Sequence, residues 1–225
     1  MFAVIFEVNP KPEQWNAYLG YAKALRPELE RIDGFLDNER FSSMRRPGRL
    51  LSLSAWRDEK AVIRWRTFAH HHEVQEKGRF EVFSDYHLRV GEITGDTQTA
   101  DGQGLRQQRF DETEAAAKLV VLSEAALEDL PPEPAALTIA ARFGAPGRAA
   151  VPGLVDWDVF ESIYQPGKFL LLASWCNAAA AEAEPLPTDD KIRRRRVRVI
   201  RDYGMFDRAE APQYYPPVPQ APRVL

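Results

Sequence analysis

The chain has 225 residues, of which 44% are apolar and 28% charged, with a formal net charge of −3. These are ordinary values for a globular protein, and they give no electrostatic reason to expect nucleic acid or an anionic membrane as a partner. No run approaches the roughly 20 apolar residues that span a bilayer; Met1 to Phe6 lacks the basic start of a signal peptide; and the single cysteine, Cys176, excludes a disulfide framework or a Cys-based metal site. A soluble cytoplasmic protein is expected.

The first element is a strand, Phe2 to Val8, apolar and β-prone. Pro10 and Pro12 open a helix, since proline suits a first turn. Trp15, Tyr18, Leu19, Ala22, Leu25, Leu29 and Ile32 then follow helical spacing and form one apolar stripe that Gly34 ends. Leu36–Met44 and Leu50–Trp56 read as a hairpin around Arg46-Pro47-Gly48. Asp58 caps a second helix expected to run to about Lys77, where Gly78 stops it. Phe80–Ile93 is the closing strand. The order is βαββαβ, a ferredoxin-like unit with both helices on one face of an antiparallel sheet.

A repeat follows. Gly34-Phe35-Leu36-Asp37 matches Gly153-Leu154-Val155-Asp156, Pro47-Gly48 matches Pro166-Gly167, and Leu53-Ser54-Ala55-Trp56 matches Leu172-Ala173-Ser174-Trp175, all at an offset of 119 residues. Asp85-Tyr86 is paired with Asp202-Tyr203 after a two-residue slip. The second copy is degenerate. Its first strand begins at Lys118. Its first helix is broken by Pro131, Pro132, Pro134, Gly144, Pro146 and Gly147, and its second helix, from Asn177 to about Glu184, is cut by Pro185 and Pro187. Its last strand is Lys191–Phe206. The expected organisation is an α+β chain of two tandem ferredoxin-like modules, residues 1–94 and 115–206, joined by a polar linker at 95–114. A Pro-rich arm at 207–225 is expected to lie across a partner.

The first module resembles the antibiotic biosynthesis monooxygenase (ABM) superfamily of dimeric α+β barrels. The resemblance rests on Gly34-Phe35, Pro47-Gly48, Ala55-Trp56-Arg57-Asp58, Trp65-Arg66 followed by His71 and Gln75, Gly78-Arg79, and Tyr86-His87-Leu88-Arg89-Val90. It implies two sheets packed face to face as one barrel, within a chain or in a homodimer or higher homo-oligomer. It also implies a monooxygenase acting on a small aromatic or quinol-type molecule, with no cofactor, or on haem. The alternative is a non-catalytic or stress-response module that binds a small hydrophobic ligand.

All four histidines, His70, His71, His72 and His87, lie in the first half. The resemblance places His71 on the site helix, as an axial haem ligand or as a general base, with Trp65 and His72 as further catalytic candidates. In the haem degraders a longer insert separates the corresponding tryptophan and histidine, whereas Trp65 and His71 are only six residues apart. A solvated helix end explains the three adjacent histidines equally well. His71 is also the candidate metal ligand, in a loose cluster with Gln75 and His87. Trp56, Phe68, Phe83, Tyr86 and His87 are candidates for lining a pocket for a flat ligand, against a plain core role. Arg193-Arg194-Arg195-Arg196 reads as an exposed strand start paired with Asp189, Asp190, Glu182 and Glu184 rather than a nucleic-acid patch.

Overall fold

The computed structural model describes residues 1–99, 105–131, 134–145, 151–183 and 189–219. Pro132, Pro146, Gly147, Glu184, Pro185, Pro187 and the last six residues of the arm lie outside the described residues. The first half comprises β1 (Phe2–Pro10), α1 (Trp15–Leu29), β2 (Phe35–Ser43), β3 (Leu50–Trp56), α2 (Glu59–Arg66), α3 (Ala69–Lys77) and β4 (Phe83–Asp96). The second comprises β5 (Leu119–Ala126), α4 (Ala136–Arg142), β6 (Leu154–Ser162), β7 (Lys168–Trp175), α5 (Ala178–Ala183) and β8 (Arg193–Gly204). Among the described residues no helix is long and apolar enough to cross a membrane.

The eight strands close into one antiparallel barrel in the order β1-β3-β2-β6-β7-β5-β8-β4. The sheet of one half thus covers that of the other within a single chain. Strand side chains alternate between faces, and one face from every strand meets at the centre. Ala3, Ile5, Phe41, Leu51, Leu53, Ile93, Val120, Leu122, Phe160, Leu170, Leu172, Val197 and Val199 fill it as one apolar cluster. Two seams join the halves. At β2–β6, Phe41 pairs with Ser162, Ser42 with Glu161 and Ser43 with Phe160. The longer seam pairs His87 to Asp96 of β4 with Gly204 to Arg195 of β8.

The long second helix expected from the sequence is two helices. Asp58 does cap the first, accepting from the Ala61 N–H at 2.8 Å. At its end the Thr67 hydroxyl donates to the Ile63 carbonyl at 2.9 Å, and Phe68 turns extended before α3 begins. The Thr67 N–H bonds the same carbonyl at 3.0 Å, and such back-bonding by a hydroxyl weakens and bends a helix. The α-helix does end at Lys77, with Gly78 as its C-cap, but the helical winding does not. A π-helical turn, Gly78–Val82, carries it on, so β4 starts at Phe83. Gly78 is needed there because an added Cβ would lie 2.5 Å from the Phe83 ring.

Three other expectations change. Val4 pairs with Val90 and Val121 with Arg196, so the last strands align differently and Asp85-Tyr86 is not the counterpart of Asp202-Tyr203. The arginine run is not an exposed strand start. Arg195 is buried against Glu124 at 3.0 Å and Arg193 pairs with Asp96 at 2.7 Å, although Arg196 does reach Glu182 at 2.8 Å. Strand alternation sends these arginines to different faces. The described part of the arm lies on its own chain: Arg79 donates to the Pro216 carbonyl at 3.1 Å, and the Tyr215 hydroxyl donates to Gln75 at 3.3 Å.

Gly91 lies at a register shift in the β4–β8 seam, where an added Cβ would stand 2.5 Å from both the Arg198 carbonyl oxygen and Val197. Gly91→Ala is expected to cost about 1–3 kcal/mol by overpacking, read as a lower thermal midpoint. An unchanged midpoint would show that the seam yields.

Candidate active site

The barrel centre is full, so open space lies outside it, between the first half's sheet and its helices. A cavity of about 210 Å³ occupies that position. Its floor is the outward face of β2, β3, β1, β4 and β8, including Asn38, Arg40, Ser52, Ser54, Trp56, Phe6, Tyr86 and Leu88. Its roof is α1, α2 and α3, through Tyr18, Leu25, Trp65, His71 and Gln75, and one side is closed by Pro212, Gln213 and Tyr215 of the C-terminal segment.

The three adjacent histidines separate. His70 is exposed and sits 2.9 Å from Glu28 of α1. His72 faces the C-terminal segment, with Nδ1 3.1 Å from the Tyr215 hydroxyl and its ring 5.8 Å from that of Tyr215, and does not line the cavity. His71 does. Its ring stacks on Trp65 with centroids 4.1 Å apart and planes 13° from parallel, and its Nδ1 lies 2.8 Å from the Trp65 carbonyl oxygen. A carbonyl only accepts, so Nδ1 carries the hydrogen and Nε2 keeps its lone pair. That carbonyl, at the helix break after Arg66, also accepts from the Phe68 N–H at 3.2 Å. Burial pushes the His71 pKa down to about 4, with the nearby His72 and His70 acting in the same direction. His71 is therefore neutral at physiological pH.

Trp65, Trp56, Phe83 and Tyr86 also line the cavity. Trp56 is buried as well, donating from its indole to Ser54 at 2.9 Å, so it is both core and wall. Phe68 does not line the cavity; it is partly exposed and stacks behind Trp65 at 6.0 Å. His87 does not line it either. It points to the opposite face from Tyr86 and Leu88, where Nε2 lies 2.6 Å from Asp202. His71 and His87 are thus separated by the sheet. Among the described residues no three His, Cys, Asp or Glu side chains converge as a metal site.

Sequence reasoning missed the polar side of the cavity. Arg40, Arg66, Arg79, Arg201 and Arg208 line it, and among the described residues none of the five has an ion pair. The one lining acid, Glu59, is held by Arg109 at 2.7 Å. Arg79 and Arg208 both donate to the Tyr86 hydroxyl, at 3.2 and 2.8 Å. The usable signal was strand alternation, which puts Asn38 and Arg40 on one face with the aligned Ser52 and Ser54.

The second half has a corresponding pocket, but only about 20 Å³ remains, room for one water at most. Pairing registers identify what fills it. Where Asn38 faces Ser54 and Arg40 faces Ser52, the second half has Trp157 facing Ala173 and Val159 facing Leu171.

A haem does not fit the larger cavity. At about 210 Å³ it is too small for a macrocycle of that size.

The model of the family described as antibiotic biosynthesis monooxygenase matches residues 1–77. A jasmonate monooxygenase, ABM, of Pyricularia oryzae is 44% identical over 222 residues, covering 96% of this chain and 99% of that protein. An aldoxime dehydratase crystallised with butyraldoxime is similar in fold, with a TM-score of 0.55, 12% identity, and coverage of 88% of this chain and 79% of that one.

His71 also sets a pH dependence. Its folded pKa, about 4, is below the ordinary 6.5, so the unfolded chain takes up the proton first as pH falls. This contribution is complete above 6.5 and is lost between 6.5 and 4, by about 3 kcal/mol in all. His71→Gln should flatten that part of the stability–pH curve in urea melts. Parallel curves for the two proteins would refute the buried, neutral ring.

Proposed function

The chain belongs to the antibiotic biosynthesis monooxygenase family, and from that premise we propose that it is a monooxygenase with one active site, the first-half cavity, acting on a small apolar acid of the jasmonate kind. The observation that carries this reading is His71: a neutral ring with a free Nε2 in a largely apolar cavity, with no histidine in the second half. The two halves are read as duplicated ferredoxin-like modules, residues 1–94 and 115–206. The β2–β6 seam supports this, since Ser42 pairs with Glu161, its own equivalent in the repeat. A homodimer or higher oligomer would join closed barrels rather than complete an open one.

The reaction breaks a substrate C–H bond and the O–O bond. One oxygen enters the product as a hydroxyl and the other leaves as water, which takes up two electrons and two protons. For a jasmonate-type acid the electrons come from an external donor, such as a reduced flavin or nicotinamide. The protein supplies a dry pocket and a proton acceptor. His71 is a weak base at rest, but negative charge growing on reduced oxygen beside it raises its proton affinity. The Nδ1–H to Trp65 bond holds the ring so that Nε2 takes the proton. Exclusion of water by the roof and C-terminal segment protects reactive intermediates.

The aromatic wall favours a second reading. Phe6, Tyr18, Phe83 and Tyr86 pack with ring centroids 5.6–6.2 Å apart, a surface suited to a flat phenol. A quinol substrate supplies both electrons itself and needs no donor.

Oxygen uptake separates these readings. Turnover of jasmonic acid only with an electron donor supports the first, and turnover of hydroquinones without one supports the second. His71→Ala is expected to lower kcat by about 10²–10⁴-fold; full activity in that variant would remove His71 from the mechanism. Added hemin is expected to give no sharp Soret band, and a band lost in His71→Ala would restore the haem reading.

A further inference from the structure

The arginines in the cavity have no function in the mechanism above. Arg40 is the most informative, because its surroundings can be compared with the same place in the second half. It projects from β2 onto the cavity floor, where its Nη1 donates to Asn38 Oδ1 at 3.0 Å. Asn38 is itself fixed, donating to the Ser52 hydroxyl at 3.0 Å and to the Leu53 carbonyl at 3.1 Å. Tyr18 of α1 is buried beside the guanidinium. Arg40 Nε is buried without a hydrogen-bond partner among the described residues, and no carboxylate pairs with the group. A guanidinium presents its donors as a rigid fork that matches a carboxylate. Here part of the fork is anchored and part is unused.

The second half shows what the fold does when this chemistry is absent. Val159 takes the place of Arg40, Trp157 that of Asn38, and Leu171 and Ala173 those of Ser52 and Ser54. All four polar positions become apolar together, and the space closes to about 20 Å³. The barrel does not need the polar stripe, so the stripe serves the cavity.

We propose that Arg40, held by Asn38 on the cavity floor, is the anchor for the carboxylate of an apolar organic acid. Arg40 lies on β2, and Trp65, on which His71 stacks, belongs to the apolar cluster that includes Leu88 and Val90 of β4. In the barrel order β2, β3, β1, β4, those strands are three spacings apart, about 14 Å. An acid anchored at Arg40 therefore points its far, apolar end toward His71. This rests on the cavity being the substrate site, but not on the oxygenase chemistry.

The test measures binding separately from turnover. Jasmonic acid and its uncharged methyl ester are titrated into the full-length protein by calorimetry. The acid should bind about 10- to 100-fold more tightly than the ester, and raised salt should weaken only the acid. Arg40→Met should erase the difference by weakening the acid far more than the ester, and Arg40→Lys should restore part of it. Equal affinity for acid and ester in the unaltered protein would overturn the proposal without any variant, and so would binding of neither. A preference that survives Arg40→Met and vanishes in Arg66→Met would overturn it by moving the anchor to the opposite wall. Because binding is read without an electron donor, loss of the oxygenase reading would show as absent turnover with the acid preference intact.

Discussion

Everything in this molecule depends on backbone pairing across the two seams, β2–β6 and β4–β8. An open four-stranded sheet leaves one face and two edges without partners, and each unpaired buried peptide group is costly. Here each half supplies what the other lacks. Closure leaves eight strands whose inward side chains fill the space between them. The ends of that interior carry charged groups which have partners. Arg89 pairs with Glu7 and donates to Ser174 at 2.7 Å, and His87 sits against Asp202. Those ionisable groups are committed to holding the barrel. A ligand site has to form on the outer face, where helices stand off from the sheet.

Closure treats both halves alike, yet only one keeps a cavity. The difference lies in side chains on shared strand positions rather than in topology. Trp157 and Leu171 fill the second half's space, while Asn38, Arg40, Ser52 and Ser54 keep the first half's floor polar. The exchange has left a trace. Trp56 donates its indole N–H to Ser54, but the equivalent Trp175 has Ala173 there, and its Nε1 is buried without a partner among the described residues. An unpaired buried donor costs roughly 1–3 kcal/mol, so the second half lacks both the cavity and a polar contact that the first half has.

The legible parts of this structure were those fixed by local spacing. The hairpin turns, the tryptophans at the ends of β3 and β7, and the stripe of α1 each follow from residues close in sequence, and the histidine asymmetry pointed to the half with the cavity. Contacts between distant residues were not legible. The helix ends at Thr67, whose hydroxyl and N–H both donate to the Ile63 carbonyl, and no local pattern marks that break. Tyr215 meets His72 and Gln75 across more than 130 residues, so a proline-rich tail that reads as a free arm is a wall of the cavity. Arg40, at the end of the polar run Asp37-Asn38-Glu39-Arg40, reads as surface until β3 is aligned beside it. Arg195 looked exposed because its partner, Glu124, belongs to β5 and meets it only through the barrel register.

The cavity is also electrostatically incomplete. Five arginines face it without an acid partner among the described residues, and Arg66, Arg201 and Arg208 cluster around Tyr203 on the wall away from Arg40. Like charges in a partly desolvated space repel, and a fold selected for stability alone would pair or replace them. His71 stays neutral there chiefly because burial disfavours the charged ring, with His72 and His70 acting in the same direction. An anion entering the cavity would supply the negative charge that its arginines lack, so the cost of desolvating either is offset by the other.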